Sequence, residues 1–536
     1  MVSLLHLLLA LPVLLFILFK KFRAIKNSSL PRPPGPKGLP IIGNLHQLDN
    51  ANLNFQLWEL SKSYGPLFSL QIGFKPAIVI SNSKLAKEVL KDHDLDVCSR
   101  PPSLGQQKLS YNGLEMIFSP YNDYWREIRK TCVVHFFSSK RISSFSHVRK
   151  SEVKLMIEKI RGHVCSSKVT NLSEIIMSAT SAIICRIAFG RKYDEEGSER
   201  SKFHGLLNDS QAMFLSFFVS DYIPFLGWVD KLTGLLARLE NTFKALDGFF
   251  EEVIEEHLNP NRHKKQSEEY DIVDVLLQLK KEGLLSMDLT NDHIKGIILD
   301  ILVAATDTTA ATSTWVMTGL GKNPRVMRKV KEEIRNFYGH KEFIEEEDVQ
   351  NLVYLKAVIK ETLRFYAPTP IIPRETNKSF VLDGYEIEPK TIVYVNGWAI
   401  QMDPEIWKDP EEFNPERFLN SDIDFKGLDF EYLPFGAGRR ICPGISLGIA
   451  TVELLIANLI NSFHWEMPEG MKPEHIDTQG LPGLARHKKN HLYLASEEST
   501  TLPLVPKIKA LSLLHDPLWI PSIISIVTYM LNKGTW

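Results

Sequence analysis

The chain has 536 residues, 44% of them hydrophobic and 24% charged, a balance that suits a globular protein with a large core. Lys and Arg total 63 against 64 for Asp and Glu, so the net charge is -1 and the basic excess expected of a nucleic-acid binder is missing. Five cysteines (98, 132, 165, 185 and 442) without a CxxC pair argue against a disulfide framework or a zinc cluster, and fit a reducing compartment.

The first element is "MVSLLHLLLALPVLLFILF", apolar apart from Ser3 and His6 and followed at once by "KKFRAIK". The basic residues follow the apolar run rather than precede it, and no small-x-small cleavage site closes it. It therefore predicts an uncleaved transmembrane anchor over residues 1–20 rather than a signal peptide. Lys20, Lys21 and Arg23 place the following chain in the cytosol. Residues 21–44 form a basic and proline-rich hinge, with five prolines between Pro31 and Pro40, which makes a stiff spacer.

Residues 45–496 read as one mainly α domain with a minor β region. "MFLSFFVSDYIPFLGW" (Met213 to Trp228) is aromatic and suits either a channel wall or core packing, and Asn261 to Asp271 is a charged surface loop. "DHIKGIILDILVAATDTTAATSTWVMTGLGKNP" predicts one long helix closed by glycine and proline. Its threonines could simply bond back to carbonyls four residues earlier. Asp307 is different, because burying an acid in an apolar helix is costly without a purpose. "LVYLKAVIKETLRFY" predicts a second helix, stopped before Pro368, and "SFVLDGYEIEPKTIVYVNGWAI" alternates like a hairpin turning at Asp383-Gly384.

An ExxR pair occurs three times, at Glu158/Arg161, Glu332/Arg335 and Glu361/Arg364. Each pair shares a helix face and could be a surface ion pair. Only the last lies in an apolar helix, where Arg417 of "FNPERF" could complete a buried network. Next comes "PFGAGRRICPG", Pro434 to Gly444, whose glycines and prolines break helix and strand alike and hold Cys442 in a shaped loop. Arg439 and Arg440 beside it, and the helix N-terminus after it, favour a thiolate, which is either a nucleophile or a metal ligand. Cys98, Cys132, Cys165 and Cys185 sit in ordinary surroundings and read as structural. Residues 497–536 form a proline-interrupted extension, read as a poorly ordered tail, with Leu518 to Leu531 too short to span a bilayer.

Phe435, Gly438, Arg440, Cys442 and Gly444 match FxxGxRxCxG, and on them the chain resembles the cytochrome P-450 haem-thiolate monooxygenases, most of all the plant microsomal members. The ends of the chain are similar to the group that includes aldoxime-oxidising enzymes. The resemblance implies a cytochrome P-450 fold, with Cys442 as axial ligand of a haem b iron, where a thiolate favours O–O cleavage. Glu361, Arg364 and Arg417 become the scaffold of the haem-side loop. "VAATDTT" resembles the oxygen-activation motif, with Thr308 at the oxygen site and Asp307 feeding protons, although Ala305 stands where the family usually has glycine. "WREIR" supplies Trp125 and Arg129 on one helix face for the haem propionates, with Arg440 and Arg374 as further candidates.

Such an enzyme inserts one oxygen atom of O2 into a small hydrophobic molecule. With no flavin or nicotinamide motif in the chain, electrons must come from NADPH through a separate reductase, docked near Arg126, Lys130 and Arg439. The partners implied are that reductase, the substrate and membrane lipid, with no nucleic acid, at the cytosolic face of the endoplasmic reticulum. A haem-thiolate isomerase or dehydratase, and a haem sensor or electron carrier, are the alternatives. Pocket walls are expected from "RPPSLGQQKLSYNG", Met213 to Trp228, "LVAAT" and "APTPII".

Overall fold

The computed structural model describes residues 31–166, 169–193, 198–262, 270–283 and 287–498. The anchor expected over 1–20, the hinge before residue 31 and the extension from 499 onward lie outside the described residues. So do most of the Asn261–Asp271 loop and the side chain of Cys165.

Six helices carry the site: α1 (Asp123–His135), α2 (Leu172–Phe189), α3 (Ser198–Leu215), α4 (Asn291–Lys322), α5 (Val353–Phe365) and α6 (Ile445–Ser462). The longest, α4, starts where Thr290 and His293 form a reciprocal cap and ends before Pro324. At 1.5 Å per residue its 32 residues run about 48 Å through the core. It packs against α2 and α6. Those two are apolar and long enough to cross a membrane, but 78% of each is buried inside the protein, which makes them core helices.

The minor β region holds β1 (Leu67–Ile72), β2 (Lys75–Ile80), β3 (Ile371–Glu375), β4 (Phe380–Leu382), β5 (Tyr385–Ile387), β6 (Ile392–Asn396), β7 (Gly480–Leu481) and β8 (His487–Lys488). A further sheet joins Val169–Asn171, Tyr493–Glu498 and Phe463–Glu466. The expected hairpin is β4–β5, turning through Asp383 and Gly384, both at positive φ. Its supposed continuation, β6, instead enters the sheet ordered β1-β2-β6-β3 and runs parallel to β2, with Ala77 opposite Ile392. Alternation identifies a strand but not its partner.

Of the three ExxR pairs, only Glu361/Arg364 is buried on both sides, with no side-chain exposure. Arg364 grips Glu361 through two bonds of 2.8 Å and also donates to the carbonyls of Gln401, Pro410 and Glu412. Arg417 Nε donates to Glu361 at 3.2 Å, and its other nitrogens reach the carbonyls of Lys408, Asp409 and Glu412. The Asn414 amide adds a fourth donor to the carboxylate. Elsewhere Glu158 and Glu332 are exposed, and Arg335 turns to Gly339 and His340. Gln401 then bonds the Leu433 amide, and Tyr432 donates to Lys360 O, so α5 is tied to the residues just before Pro434.

Breaking a pair this deeply buried leaves a charge without a partner. Arg364→Ala or Glu361→Gln is expected to lose about 3–5 kcal/mol, read as a lower denaturant midpoint. Wild-type stability in both variants would contradict the network.

Candidate functional site

The Pro434–Gly444 loop is shaped by its own backbone. Cys442 N–H donates to Phe435 O at 3.0 Å, and Gly436 and Gly438 adopt φ of 71° and 67°. At Gly438 glycine is doubly required, since a Cβ would lie 2.4 Å from Leu90 O and 2.5 Å from Asp94 Oδ1. Gly444 caps α6, and a Cβ there would meet Cys442 Sγ only at ordinary contact distance.

The arginines flanking Cys442 in sequence do not act on its sulfur as expected. Arg439 pairs with Asp94 at 3.2 Å, while Arg440 reaches away to the carbonyls of Cys98, Met116 and Ser119. Burial dominates and pushes the thiol up, against a smaller downward pull from the Gly444 amide and Arg129. The protein alone therefore keeps the thiol protonated; a bound metal would be what removes the proton.

Cys442 opens on a cavity of about 290 Å3 that also reaches Thr308, Ala305, Ile372 and Leu363. Four arginines share its wall: Arg100, Arg129, Arg374 and Arg440. The hydrogen bonds of all four run to backbone carbonyls rather than carboxylates. Burial lowers every one of them, to about 10 at Arg100 and about 9 at Arg440. Repulsion from neighbouring arginines adds to it at Arg100, Arg374 and Arg440, against an upward pull from Glu115 on Arg100 and Arg440 and from Asp94 on Arg374. Arg374 is 1% exposed and its Nε has no hydrogen-bond partner. Trp125 supports the group from beneath, with the Arg440 guanidinium 4.0 Å from its ring centre and its own Nε1–H on Met116 O at 2.8 Å.

A thiol and a cluster of guanidinium groups that hydrogen-bond to no carboxylate form an unusual donor set. It suits a ligand that carries both a soft metal and anionic carboxylates, and haem with its two propionates has both. The residues present fit that group.

Along α4, Ile301, Ala304, Ala305, Thr308 and Thr312 line the cavity, and the helix continues unbroken through Ala305. Thr308 Oγ1 donates to Ala304 O at 2.7 Å, the back-bond open to any helical threonine. Asp307 faces elsewhere. Its Oδ1 accepts from His487 Nε2 at 2.6 Å and Gln211 Nε2 at 3.1 Å, and its Oδ2 accepts from Ala485 N–H at 3.1 Å.

Of the expected pocket walls, "APTPII" contributes Pro368, Thr369, Ile371 and Ile372, and "LVAAT" contributes Ala304 and Ala305. The Met213 to Trp228 stretch is not among the lining residues; Met213 and Phe218 are core, and Phe225 and Trp228 are exposed. Arg100 was missed among the cations. "RPP" is a weak signal, because only folding brings it to Pro373. Asp300, also on the wall, was missed too: burial and Glu115 push its carboxyl well up, and it holds the Met116 amide at 2.7 Å. It thereby ties the loop carrying Met116 to α4.

The chain matches the sequence model of the cytochrome P-450 family over residues 33–495. It is 48% identical over 500 residues to 6,7,8-trihydroxycoumarin synthase of Pastinaca sativa, covering 91% of this chain and 97% of that one. It is 46% identical over 499 residues to 5-OH-xanthotoxin synthase of Ammi majus, with the same coverage. Among solved structures, a zebrafish cytochrome P-450 with progesterone superposes with a TM-score of 0.71 at 25% identity, over 83% of this chain and 99% of that one.

Arg374 offers a test of the cavity's purpose. An unpartnered buried polar group costs about 1–3 kcal/mol, so Arg374→Met should stabilise the haem-free protein by that order. Haem retention, measured by transfer to apomyoglobin, should fall in the same variant. A variant that loses stability without haem and holds haem normally would show that Arg374 serves the fold alone.

Proposed function

The chain belongs to the cytochrome P-450 family, a monooxygenase oxidoreductase, and from that premise we propose that it oxidises a small hydrophobic plant metabolite at the cavity beside Cys442. The observation that carries this reading is that Cys442 shares one largely apolar cavity with four arginines that hydrogen-bond to no carboxylate. Cys442 would hold the haem iron, and Arg100, Arg129, Arg374 and Arg440 with Trp125 would hold the propionates. When bound, haem supplies the activation of O2 that inserts one oxygen atom into an unreactive bond.

The chain's own residues do the rest. Ile301, Ala304, Ala305, Leu363 and Ile372 exclude water and orient an apolar substrate. Thr308 lines the cavity with its hydroxyl back-bonded to Ala304 O, from where it would turn to hand on a proton, and the adjacent Asp307 would feed protons to it. Electrons enter one at a time from an NADPH-dependent reductase on the face of Arg126 and Arg439, whose side chains are 59% and 47% exposed. The similarity to coumarin- and xanthotoxin-oxidising relatives makes planar aromatic lactones the first substrates to test. The apolar N-terminus supports anchoring in the endoplasmic reticulum membrane with the domain in the cytosol.

In microsomes with reductase, one lactone is expected to give a hydroxylated product that requires both O2 and NADPH, which neither an isomerase nor an electron carrier would need. Cys442→His should abolish the red-shifted carbon monoxide band, and its persistence would sink the ligand assignment. An N-glycosylation acceptor placed in an exposed loop of the domain should stay unmodified; added sugar would reverse the topology.

A further inference from the structure

Asp307 and Thr308 are adjacent in sequence yet serve opposite sides of α4. Successive helical residues are turned by about 100°, so neighbours can be carried to different sides. Thr308 lines the cavity beside Cys442. Asp307, with a side chain 5% exposed, points to the other side, where His487 at the start of β8 meets it at 2.6 Å.

His487 in turn lines a second cavity, of about 400 Å3, behind α4. Its walls include Ser173 and Glu174 of α2, Asn208 of α3, Thr314 of α4, and Lys489 and His491. That lining is mixed, with Met177, Ala310 and Leu481 among its polar groups, but it is more polar than that of the first cavity, so water is favoured there. The charged groups near His487 are Asp307 from α4, Glu174 from α2, and Arg486, Lys488, Lys489 and His491 from its own segment. Lys488 is engaged with Asp477 at 3.6 Å, and Arg486 lies against Trp315 and donates to Tyr366 O. Glu174 and Asp307 are therefore the acids that His487 meets, and only Asp307 touches it.

We infer that His487 is a positioning residue for oxygen chemistry, loading Asp307 with protons drawn from the water of the second cavity. Protonated His487 gives its Nε2 proton to Asp307 Oδ1, which leaves the neutral Nδ1–H imidazole, and once Asp307 has turned away Nε2 takes a new proton from hydronium in the cavity water. Neutral Asp307 is held less strongly by His487, turns about its Cα–Cβ bond, and releases the proton on the Thr308 side. It returns as carboxylate, so one proton has crossed the helix and no charge is left behind. Gln211 and the Ala485 amide hold the carboxylate in its resting position between transfers. This rests on the monooxygenase reading, whose oxygen chemistry consumes protons inside an apolar cavity.

The test compares wild type, His487→Gln and His487→Phe as haem-loaded enzymes with reductase. Glutamine keeps an N–H donor toward Asp307 but cannot relay a proton; phenylalanine loses both abilities. Both variants should keep haem content and the carbon monoxide band, and His487→Gln should also keep the wild-type melting temperature. Product per NADPH should fall about tenfold or more in both, positioned proton transfer being worth on the order of 10²–10⁴. Hydrogen peroxide should rise in step, with a larger solvent deuterium isotope effect on product formation. Full coupling in His487→Gln would mean that the residue is only a tether, and would overturn the inference.

A second measurement needs no turnover. Exchange of the histidine C2 hydrogen with deuterated water, read by mass spectrometry, has two internal standards: His464, 52% exposed, and His257, 1% exposed. His487 should exchange at a rate close to that of His464. Protection equal to His257 would overturn the water reservoir, whatever the assays give. Absence of product from wild type would instead count against the monooxygenase reading, so the two failures are distinguishable.

Discussion

A single carboxylate, that of Glu361, holds the frame on which the site is built. It has no side-chain exposure and accepts from two arginines and a backbone amide. A charge so buried is tolerable only when every lone pair is used. Arg364 and Arg417 then spend their remaining donors on carbonyls between residues 401 and 412, a stretch with no regular ladder to satisfy them. The network thus replaces secondary structure for the segment that leads to Pro434. Without it, the Gln401–Leu433 and Tyr432–Lys360 bonds that set where the Cys442 loop begins would lose their rigid support.

The cavity follows the opposite rule. Around Glu361 every charge is met, whereas the four arginines facing Cys442 are met only by carbonyls, and Arg374 keeps one donor idle. Cys442 shares this frustration, since burial opposes the thiolate that iron would require. Both tensions are relieved by one ligand that brings a cation for the sulfur and anions for the guanidinium groups. Binding that relieves strain in the folded state stabilises that state by mass action, so cofactor loading and fold stability are coupled here.

Much of this was readable before any coordinates. The long helix ending before Pro324, the apolar ExxR helix and the glycine-punctuated cysteine loop announce themselves through periodicity, caps and backbone restrictions. These are local signals, and local physics decides them. What resisted reading depends on distance in space. The bond from Arg100 to Pro373, the parallel partner of β6 and the meeting of His487 with Asp307 each join residues far apart in the chain. Sign was also hard to read. Two arginines beside a cysteine suggest an acidic thiol, but their side chains turn away and desolvation prevails. The aromatic stretch from Met213 carried a pattern equally suited to a channel or a core, and the core received its buried members.

The unbroken course of α4 has a consequence for how such a chain can diversify. Positions 301, 304, 305, 308 and 312 line the first cavity, whereas 310 and 314 line the second and 307 turns to His487 on that side. One rigid rod therefore keeps two registers of selection apart. Substitutions on the first register can retune which molecule is accepted while leaving the second intact, because the helix has no kink to mix them. A single-residue insertion upstream of Ala304 would do what no substitution can: rotate both faces together by about 100° and take both sets of side chains off their cavities. Side chains along α4 can thus change one face at a time, whereas a change in its length moves both.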